Sequence, residues 1–488
     1  MEEDLYKERL EKLNKIKELN INPYPCKFEV NNKTKDVIEK YKDLNAGEHI
    51  ENVKVSMAGR VMSLREHGKS CFATVRDVCG QIQVYFKLDI LGDKNWELLK
   101  KIDIGDFMGV SGDVFKTRTG ELTIRAKEIS LLSKSLMSLP EKWHGLKDVE
   151  IRYRQRYLDL ISNPEVKDVF YTRSWAIKEV RNFLESKGFL EVETPMMHSI
   201  PGGATAKPFK TFHNALGMEL YMRIAPELYL KRLIIGGFEK VYEMNRNFRN
   251  EGISIKHNPE FTMLELYQAY ADYEEMMKLT EELLTHVVQR IFGKLKIIYQ
   301  DKEIDFITPW KKLTMYDSIK EYAGLDVEKM RELDLKTFCK DKEINIEKLK
   351  EKGEIINEIF EKVVEHNLIQ PTIIMDYPIE VSPLAKRKKG NDNLVERFEL
   401  FIYGRETANA FSELNDPVEQ RERFLSQVET KESNKIDEDF IKALEYGMPP
   451  TGGLGLGLDR FIMILTNSPS IRDVILFPQM RTKDETTI

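Results

Sequence analysis

Leu5, Leu10, Leu13, Ile16 and Leu19 recur at helical spacing among lysines and glutamates, which predicts one amphipathic helix over residues 1–20. Asn22, Pro23 and Pro25 end it. Such a stripe reads first as a helix docked on the body of the protein, and second as a lysine-rich face touching RNA. From residue 51 the period changes. VKVSMAGRVMSL, SCFATVRDV, GQIQVYFK, FMGVSGDVFKT and ELTIRAKEISLL alternate apolar and polar positions, punctuated by Gly59, Gly68, Gly80, Gly105, Gly112 and Gly120. Five short strands joined by glycine turns predict a small antiparallel barrel over 51–140.

That strand pattern fits a barrel of the OB type, which binds single-stranded nucleic acid by stacking bases on aromatic rings. An all-β domain without a ligand fits it as well. Residues 136–160 read as a linker followed by a charged helix. From about 165 the chain reads as a mixed α/β region. A helix over 166–187 ends at Gly188, strands are expected near 219–224, 238–248, 261–270, 396–403 and 451–458, and a helix spans 272–292. The lysine- and glutamate-rich stretch 325–370 reads as a helical insertion. The resulting division is an N-terminal helical segment 1–50, the barrel 51–140, a linker 141–164 and a large domain 165–488.

The length of 488 residues allows two to four domains. No run of about 18 apolar residues occurs, so no membrane span is expected. The charged N-terminus lacks the apolar core of a secretory signal, and the four scattered cysteines form no CxxC pair. Both features point to the cytosol and away from zinc or disulfides. The net charge of −6 does not announce nucleic-acid binding. The barrel segment 51–140 is locally different, with 14 Lys+Arg against 11 Asp+Glu, so a basic face on an acidic chain is possible there.

The densest chemistry lies in RNFRNEGISIKHNPEFTMLELY, from Arg246 to Tyr267. Residues two apart on a strand share a face, so Arg249, Glu251, His257 and Phe261 can converge. Arginine suits a triphosphate because its planar fork donates to phosphate oxygens and its face stacks on a base. Any one of these residues alone would read as part of a surface salt-bridge hairpin. FRNEG followed by HNPEFTMLELY resembles motif 2 of the class II aminoacyl-tRNA synthetases, in the form carried by lysyl-tRNA synthetases. GFLEVETPMM (188–197) resembles motif 1, and GLGLGLDRFIMIL (453–465) resembles motif 3. The resemblance runs from the barrel to IRDVILFP near the end.

The resemblance implies an α+β protein: an N-terminal OB-type barrel, then a class II catalytic domain on an antiparallel sheet with flanking helices. It implies ATP-dependent attachment of lysine to tRNA(Lys) through a lysyl-adenylate, with Mg²⁺ accompanying ATP, and a homodimer through the motif 1 proline, Pro195. Arg249 would meet the α-phosphate and Arg460 the adenine face and γ-phosphate, the two catalytic arginines. Glu251, His257, Asn258, Phe261, Glu399 and Gly457 would complete the ATP site. Glycines 453, 455 and 457 would let the backbone approach the nucleotide, although a glycine run alone is equally a tight turn. Glu399 and Glu406 match the magnesium carboxylates, hard oxygen donors suited to that ion. No side-chain nucleophile is needed, because the amino acid's own carboxylate attacks phosphorus.

Aspartyl and asparaginyl enzymes share these motifs, and the side-chain pocket separates them. A buried ammonium needs carboxylates. The lysine-binding positions map onto Gly203, Glu227, Glu265, Tyr267, Asn409, Phe411 and Glu413, with Glu265 and Glu413 expected at the ε-ammonium. Ala410 departs from the glycine common at that place. The anticodon readers map onto Phe72, Gln83 and Glu121; taken alone, Phe72 reads as core. The run KRKK (386–389) reads as a solvated loop, with the tRNA acceptor end as a second reading. A protein-lysylating paralogue and an idle RNA-binding protein are the rival classes. The barrel argues against the first, and the intact arginines and carboxylates against the second.

Overall fold

The amphipathic N-terminal helix forms over Glu2–Glu18, with Leu13 and Ile16 buried. The structure is a computed structural model and describes residues 2–140, 146–204, 206–428 and 436–482. The chain divides into two compact units, Met1–Lys147 and Asp148–Ile488. In the first, strands His49–His67, Ser70–Arg76, Gln81–Lys87, Phe107–Lys116 and Leu122–Ser133 close into a barrel in the order first, second, third, fifth, fourth. Alternation builds it. Cys71, Ala73 and Val75 point inward with Ile82, Val84 and Phe86, while the residues between them face out. Ile16, Val37, Tyr41 and Leu44 belong to the same core, so residues 1–50 are part of this unit and not a separate segment. The helix's polar face is also engaged. Lys12 pairs with Asp103 at 2.8 Å, and Arg9 donates to the carbonyls of Ile104, Ser135 and Met137. Docking, the first reading of this helix, is what the structure has.

Of the expected linker 141–164, residues 141–145 lie outside the described residues, and 148–162 fold into the second unit instead. Helices Val149–Arg154 and Arg156–Ser162 lie there. Arg156 is buried, bonds Asp159 at 2.6 Å and donates to the carbonyls of Arg472, Ile475 and Leu476, which ties the start of this unit to its end.

The second unit is organised by a nine-stranded sheet. Its path runs Lys311–Thr314, Thr372–Pro378, Asn391–Phe401, Glu406–Ser412, Thr451–Gly457, Glu260–Ala269, Lys240–Phe248 and Leu190–Glu191, with Arg387–Lys388 paired beside it. The central pairings are antiparallel and the two edge pairings parallel. Leu264, Leu266, Phe398, Leu400, Ala408, Ala410, Leu454 and Leu456 cover one face. They pack beneath helices Val166–Ser186 and Tyr273–Phe292, with Val180, Leu184, Met276 and Leu283 in the same core. The alternate residues of these strands face the other way, and that face is the candidate site. The insertion has helices Glu332–Asp341 and Lys352–Ile359; Leu335, Ile355 and Ile359 pack with Ile374, Tyr377 and Phe401 of the sheet. Among the described residues no helix is long and apolar enough to cross a membrane.

Candidate functional site

Strand register assembles the site in rows. Glu399 lies opposite Asn409, Asn409 opposite Gly455, and Gly455 opposite Glu265. One step along the strands, Arg397, Phe411, Gly453 and Tyr267 form a second row. Thr451–Gly457 thus runs down the middle with glycine at each position facing the site. Neighbouring strands are about 4.8 Å apart, so Asn409 and Glu265 face each other across a gap of roughly 10 Å with bare backbone as its floor. The glycines were expected to serve the nucleotide; at Gly453 the need is different. A Cβ there would collide with Glu413 Oε1 and stand 2.7 Å from Tyr267 Cε1. Gly453 makes room for the acid pocket. Ala410 points away from the trough: it is fully buried in the core on the helix side, opposite Phe398, so its methyl does not enter the pocket.

Three acids gather at the Gly453 end. Glu227, Glu265 and Glu413 are 5%, 5% and 1% exposed, and the charge of each acts on the buried Tyr267 phenol. Burial pushes the Glu265 carboxyl up to about 8, helped by the charge of Glu227 and opposed by Arg249 and Arg223. Asn247 donates to Glu265 at 3.3 Å. The sequence reading paired Glu413 with a substrate ammonium. The structure gives it a partner of its own: Lys231, fully buried, ion-pairs with Glu413 and bonds Glu227 at 2.7 Å. Burial works against the Lys231 charge, but Glu227 and Glu413 hold its ammonium above the usual lysine range. Glu413 Oε2 is taken up by Lys231, while its buried Oε1 accepts no hydrogen bond among the described residues, so acceptor capacity remains there. Gly203 sits over this pocket with φ +85°, where an L side chain is strained; a Cβ would lie 3.2 Å from that of Glu227.

The other end is basic. Arg249 is packed 5.1 Å over the Phe261 ring, and its buried Nε has no hydrogen-bond partner among the described residues. Burial holds its guanidinium below the usual arginine range, while Glu406, Glu265 and Glu251 pull it back. Arg460 donates to the Glu406 carbonyl at 2.8 Å and to its carboxylate at 3.3 Å, and lies 3.3 Å from His257 Nε2. His257 Nδ1 meets Ser254 at 3.0 Å, and burial with Arg460 keeps the imidazole below its usual range. Buried Asn258 donates to the Glu260 carbonyl at 2.5 Å, leaving its Oδ1 without a hydrogen bond. Glu251 is exposed, and a Cβ at Gly457 would lie 3.6 Å from Cδ of the Arg460 side chain. The motif 2 and motif 3 residues named from sequence therefore converge.

Glu399 accepts from Tyr377 at 2.9 Å and from Arg397, which also bonds Asn409 at 3.0 Å. Burial pushes the Glu399 carboxyl up to about 7, Arg397 opposing and Glu406 reinforcing. The two carboxylates therefore lie close enough to repel. Among the described residues no cluster of three or more His, Cys, Asp or Glu could hold a metal. A pair of hard oxygen donors that disfavour each other's charge fits an ion that keeps most of its ligands as water and phosphate, as Mg²⁺ does.

On the barrel, Phe72 and Gln83 face outward from adjacent strands, so Phe72 is not core. Thr123 joins Gln83 to Glu121, donating to Gln83 Oε1 at 3.0 Å and to the Glu121 carbonyl at 3.1 Å. Phe72 and Gln83 thus share one face, and the Glu121 backbone adjoins it through Thr123. Sequence reading missed their neighbours: Phe72, Tyr85 and Phe115 form a run of rings with centroids 4.8 and 6.0 Å apart. Outward alternation in GQIQVYFK could have found Tyr85. Lys231, four residues after Glu227 on helix Glu227–Ile235, was equally findable as a helical i, i+4 pair. Asp459 was missed too; its carboxylate accepts from the Thr262 amide at 2.7 Å and from Arg173 at 2.5 Å, fixing motif 3 against motif 2. In the KRKK run, Lys386 bonds Asn415, Arg387 pairs with Glu419 and Lys388 with Asp376.

Comparison with known proteins agrees with this geometry. A family model described as tRNA synthetases class II (D, K and N) matches residues 148–481, and one described as OB-fold nucleic acid binding domain matches residues 55–132. Over 488 residues the chain is 56% identical to the lysine–tRNA ligase of Carboxydothermus hydrogenoformans, covering 99% of each. It is 56% identical to the lysine–tRNA ligase of Syntrophomonas wolfei, covering 98% of this chain and 97% of that one. The protein of the same name from Bacillus cytotoxicus is 52% identical, with 98% and 97% covered.

Proposed function

The chain belongs to the lysine–tRNA ligases of class II, enzymes that join lysine to tRNA at the expense of ATP, and we propose that it does so through a lysyl-adenylate formed in the glycine-floored trough. The observation that carries the reading is the set of three buried acids in a trough whose other end carries Arg249 and Arg460. Carboxylates buried this deeply call for a cationic side chain, since unpaired buried charge is costly in either partner. An aspartate pocket would need cations in their place.

In this reading Glu265, Glu413 and Tyr267 receive the ε-ammonium, Glu227 and Asn409 the α-amino and α-carboxylate end, and Phe411 walls the aliphatic stem. The loop at Gly203 closes over the substrate. The amino acid carboxylate attacks the α-phosphorus in line and pyrophosphate departs. Arg249 stabilises the charge growing on the phosphoryl oxygens, and Arg460 holds the far phosphate. Phe261 stacks on adenine, with Glu251, His257, Asn258 and Gly457 around base and phosphates. Arg397 positions Asn409 and Glu399. Glu399 and Glu406 would hold Mg²⁺, which when bound neutralises the leaving pyrophosphate. The terminal ribose 3′-hydroxyl of tRNA(Lys) then attacks the activated carbonyl, so the protein supplies positioning and charge and no nucleophile.

Phe72, Gln83 and Glu121 read the anticodon, Phe72 by stacking. The cytoplasm is the compartment. A homodimer forms through helix Val166–Ser186 and the motif 1 segment 188–197; exposed Tyr171, Trp175, Leu190 and Met197 support that interface. Amino-acid-dependent ATP–pyrophosphate exchange tests the reading. Lysine is expected to drive exchange alone among the common amino acids. Exchange driven by aspartate or asparagine and not by lysine would sink it.

A further inference from the structure

Lys231 stands at the centre of the acid pocket, and nothing in the reaction as described uses it. Its ammonium bonds Glu227 at 2.7 Å on its own helix, ion-pairs with Glu413, and lies 5.5 Å from the Phe411 ring centroid. It has no exposed surface, so it cannot swing out to admit a substrate. The neighbouring Leu230 and Ile234 fill an apolar cluster with Phe440 and Leu444. For stability alone an apolar group in place of the whole acid–lysine cluster would serve as well there, because buried ion pairs roughly break even against hydrophobic packing. The charge therefore has another use.

The surrounding charges can be counted. Glu265 and Tyr267 face the pocket from strand Glu260–Ala269, Glu227 from its helix, and Glu413 from just past strand Glu406–Ser412. Arg223, Arg249 and Arg397 also act on these acids. Each has an acid of its own: Arg223 bonds Glu243 at 2.7 Å, Arg397 pairs with Glu399, and Arg249 is drawn most by Glu406. That leaves three carboxylates and one lysine.

We propose that Lys231 is a specificity-determining residue: its ammonium offsets one of the three buried carboxyls and leaves two to face the two ammonium groups of free lysine. It acts through Glu227 and Glu413, whose burial raises both carboxyls and whose charged forms the Lys231 ammonium favours, and it does not touch the reacting atoms. The assignment rests on the reading that this trough binds lysine. Without Lys231 the crowded acids take up a proton, which incoming lysine must then displace.

The test is calorimetry of lysine binding to the full-length protein near pH 7, in two buffers of different ionisation enthalpy, which counts protons released. Lys231→Met is expected to release one proton more than wild type. Its KM for lysine in pyrophosphate exchange rises about tenfold at pH 7, the equivalent of one pKa unit, and the gap closes by pH 9. Its KM for ATP stays unchanged. Lys231→Arg keeps the wild-type proton count. The double variant Lys231→Met, Glu227→Gln removes one charge of each sign and returns to the wild-type count; it carries the test if the single variant fails to fold. Equal proton release by wild type and Lys231→Met, or a double variant that departs from wild type, overturns the assignment. A wild type that neither binds lysine nor exchanges with it refutes the underlying reading instead.

Discussion

The trough and the barrel face are both sheet surfaces, yet they are built for opposite kinds of recognition. In the trough, glycine removes side chains from the central strand, and flanking acids are buried and paired by register. On the barrel, the outward positions carry half-exposed rings, with Phe72 and Tyr85 4.8 Å apart. Buried charge discriminates strongly because an imperfect partner leaves a desolvated group unpaired. Exposed rings contribute modest, additive stacking and tolerate many bases. The two surfaces should therefore fail differently under mutation, and separately.

The sharpest break is Arg249→Ala. Removing a preorganised cation from the phosphoryl end should slow pyrophosphate exchange about 10²- to 10³-fold. Binding of tRNA, measured by filter retention or fluorescence, should remain near wild type. Equal loss of both would join the surfaces that the comparison separates. Gly453→Ala comes next. Its Cβ has no room beside Glu413 and Tyr267. Overpacking of this sort costs about 1–3 kcal/mol. The expected signs are a lower melting temperature and a raised KM for lysine, with the KM for ATP moved less. A Gly453→Ala enzyme with wild-type lysine KM would show that the floor need not be bare.

Phe72→Ala attacks the other surface. Losing one stacked base costs about 1–3 kcal/mol, so the KM for tRNA should rise roughly tenfold or more while exchange is spared. Tyr85→Ala extends the comparison: if the ring run acts as one platform, its loss should fall in the same direction.

How far the sequence reached follows the same division. The barrel was legible because its strands alternate cleanly and its turns are glycines. The strand Glu406–Ser412 was not, because ETANAFS buries only small residues on its core side and carries a weak apolar signal. Thr372–Pro378 is buried on both faces and lacks alternation. The charged helix read in 136–160 is there, as Val149–Arg154 and Arg156–Ser162, but its place in the second unit was not legible because its partners lie more than 300 residues away. Site residues on motifs were named correctly as neighbours, since register carries motif 2 and motif 3 to adjacent strands. Lys231 escaped because its i, i+4 pairing with Glu227 reads as an ordinary surface pair on a helix until Glu413 is placed beside it in three dimensions.

The smallest effect is also the most specific to the trough: a pH dependence of lysine affinity that the barrel should not share. Glu265 in the free protein sits at about 8, raised first by burial and then by Glu227, against Arg249, Arg223 and the Asn247 bond. Below that value the carboxyl is mostly protonated before lysine arrives. Lysine keeps both ammonium groups over the neutral range, and an ammonium beside Glu265 favours the carboxylate, so binding expels the proton. Proton release on binding means affinity must rise with pH. Between pH 6 and 8 the KM for lysine should fall about fivefold to tenfold per unit, then level off above 8, since one pKa unit corresponds to a tenfold change. Glu265→Gln should flatten that slope while weakening binding throughout. The KM for tRNA in wild type, read at saturating lysine, should follow a different curve. A lysine KM that stays flat from pH 6 to 8 would mean that Glu265 is already ionised in the free enzyme, and that the trough is less dry than its geometry requires.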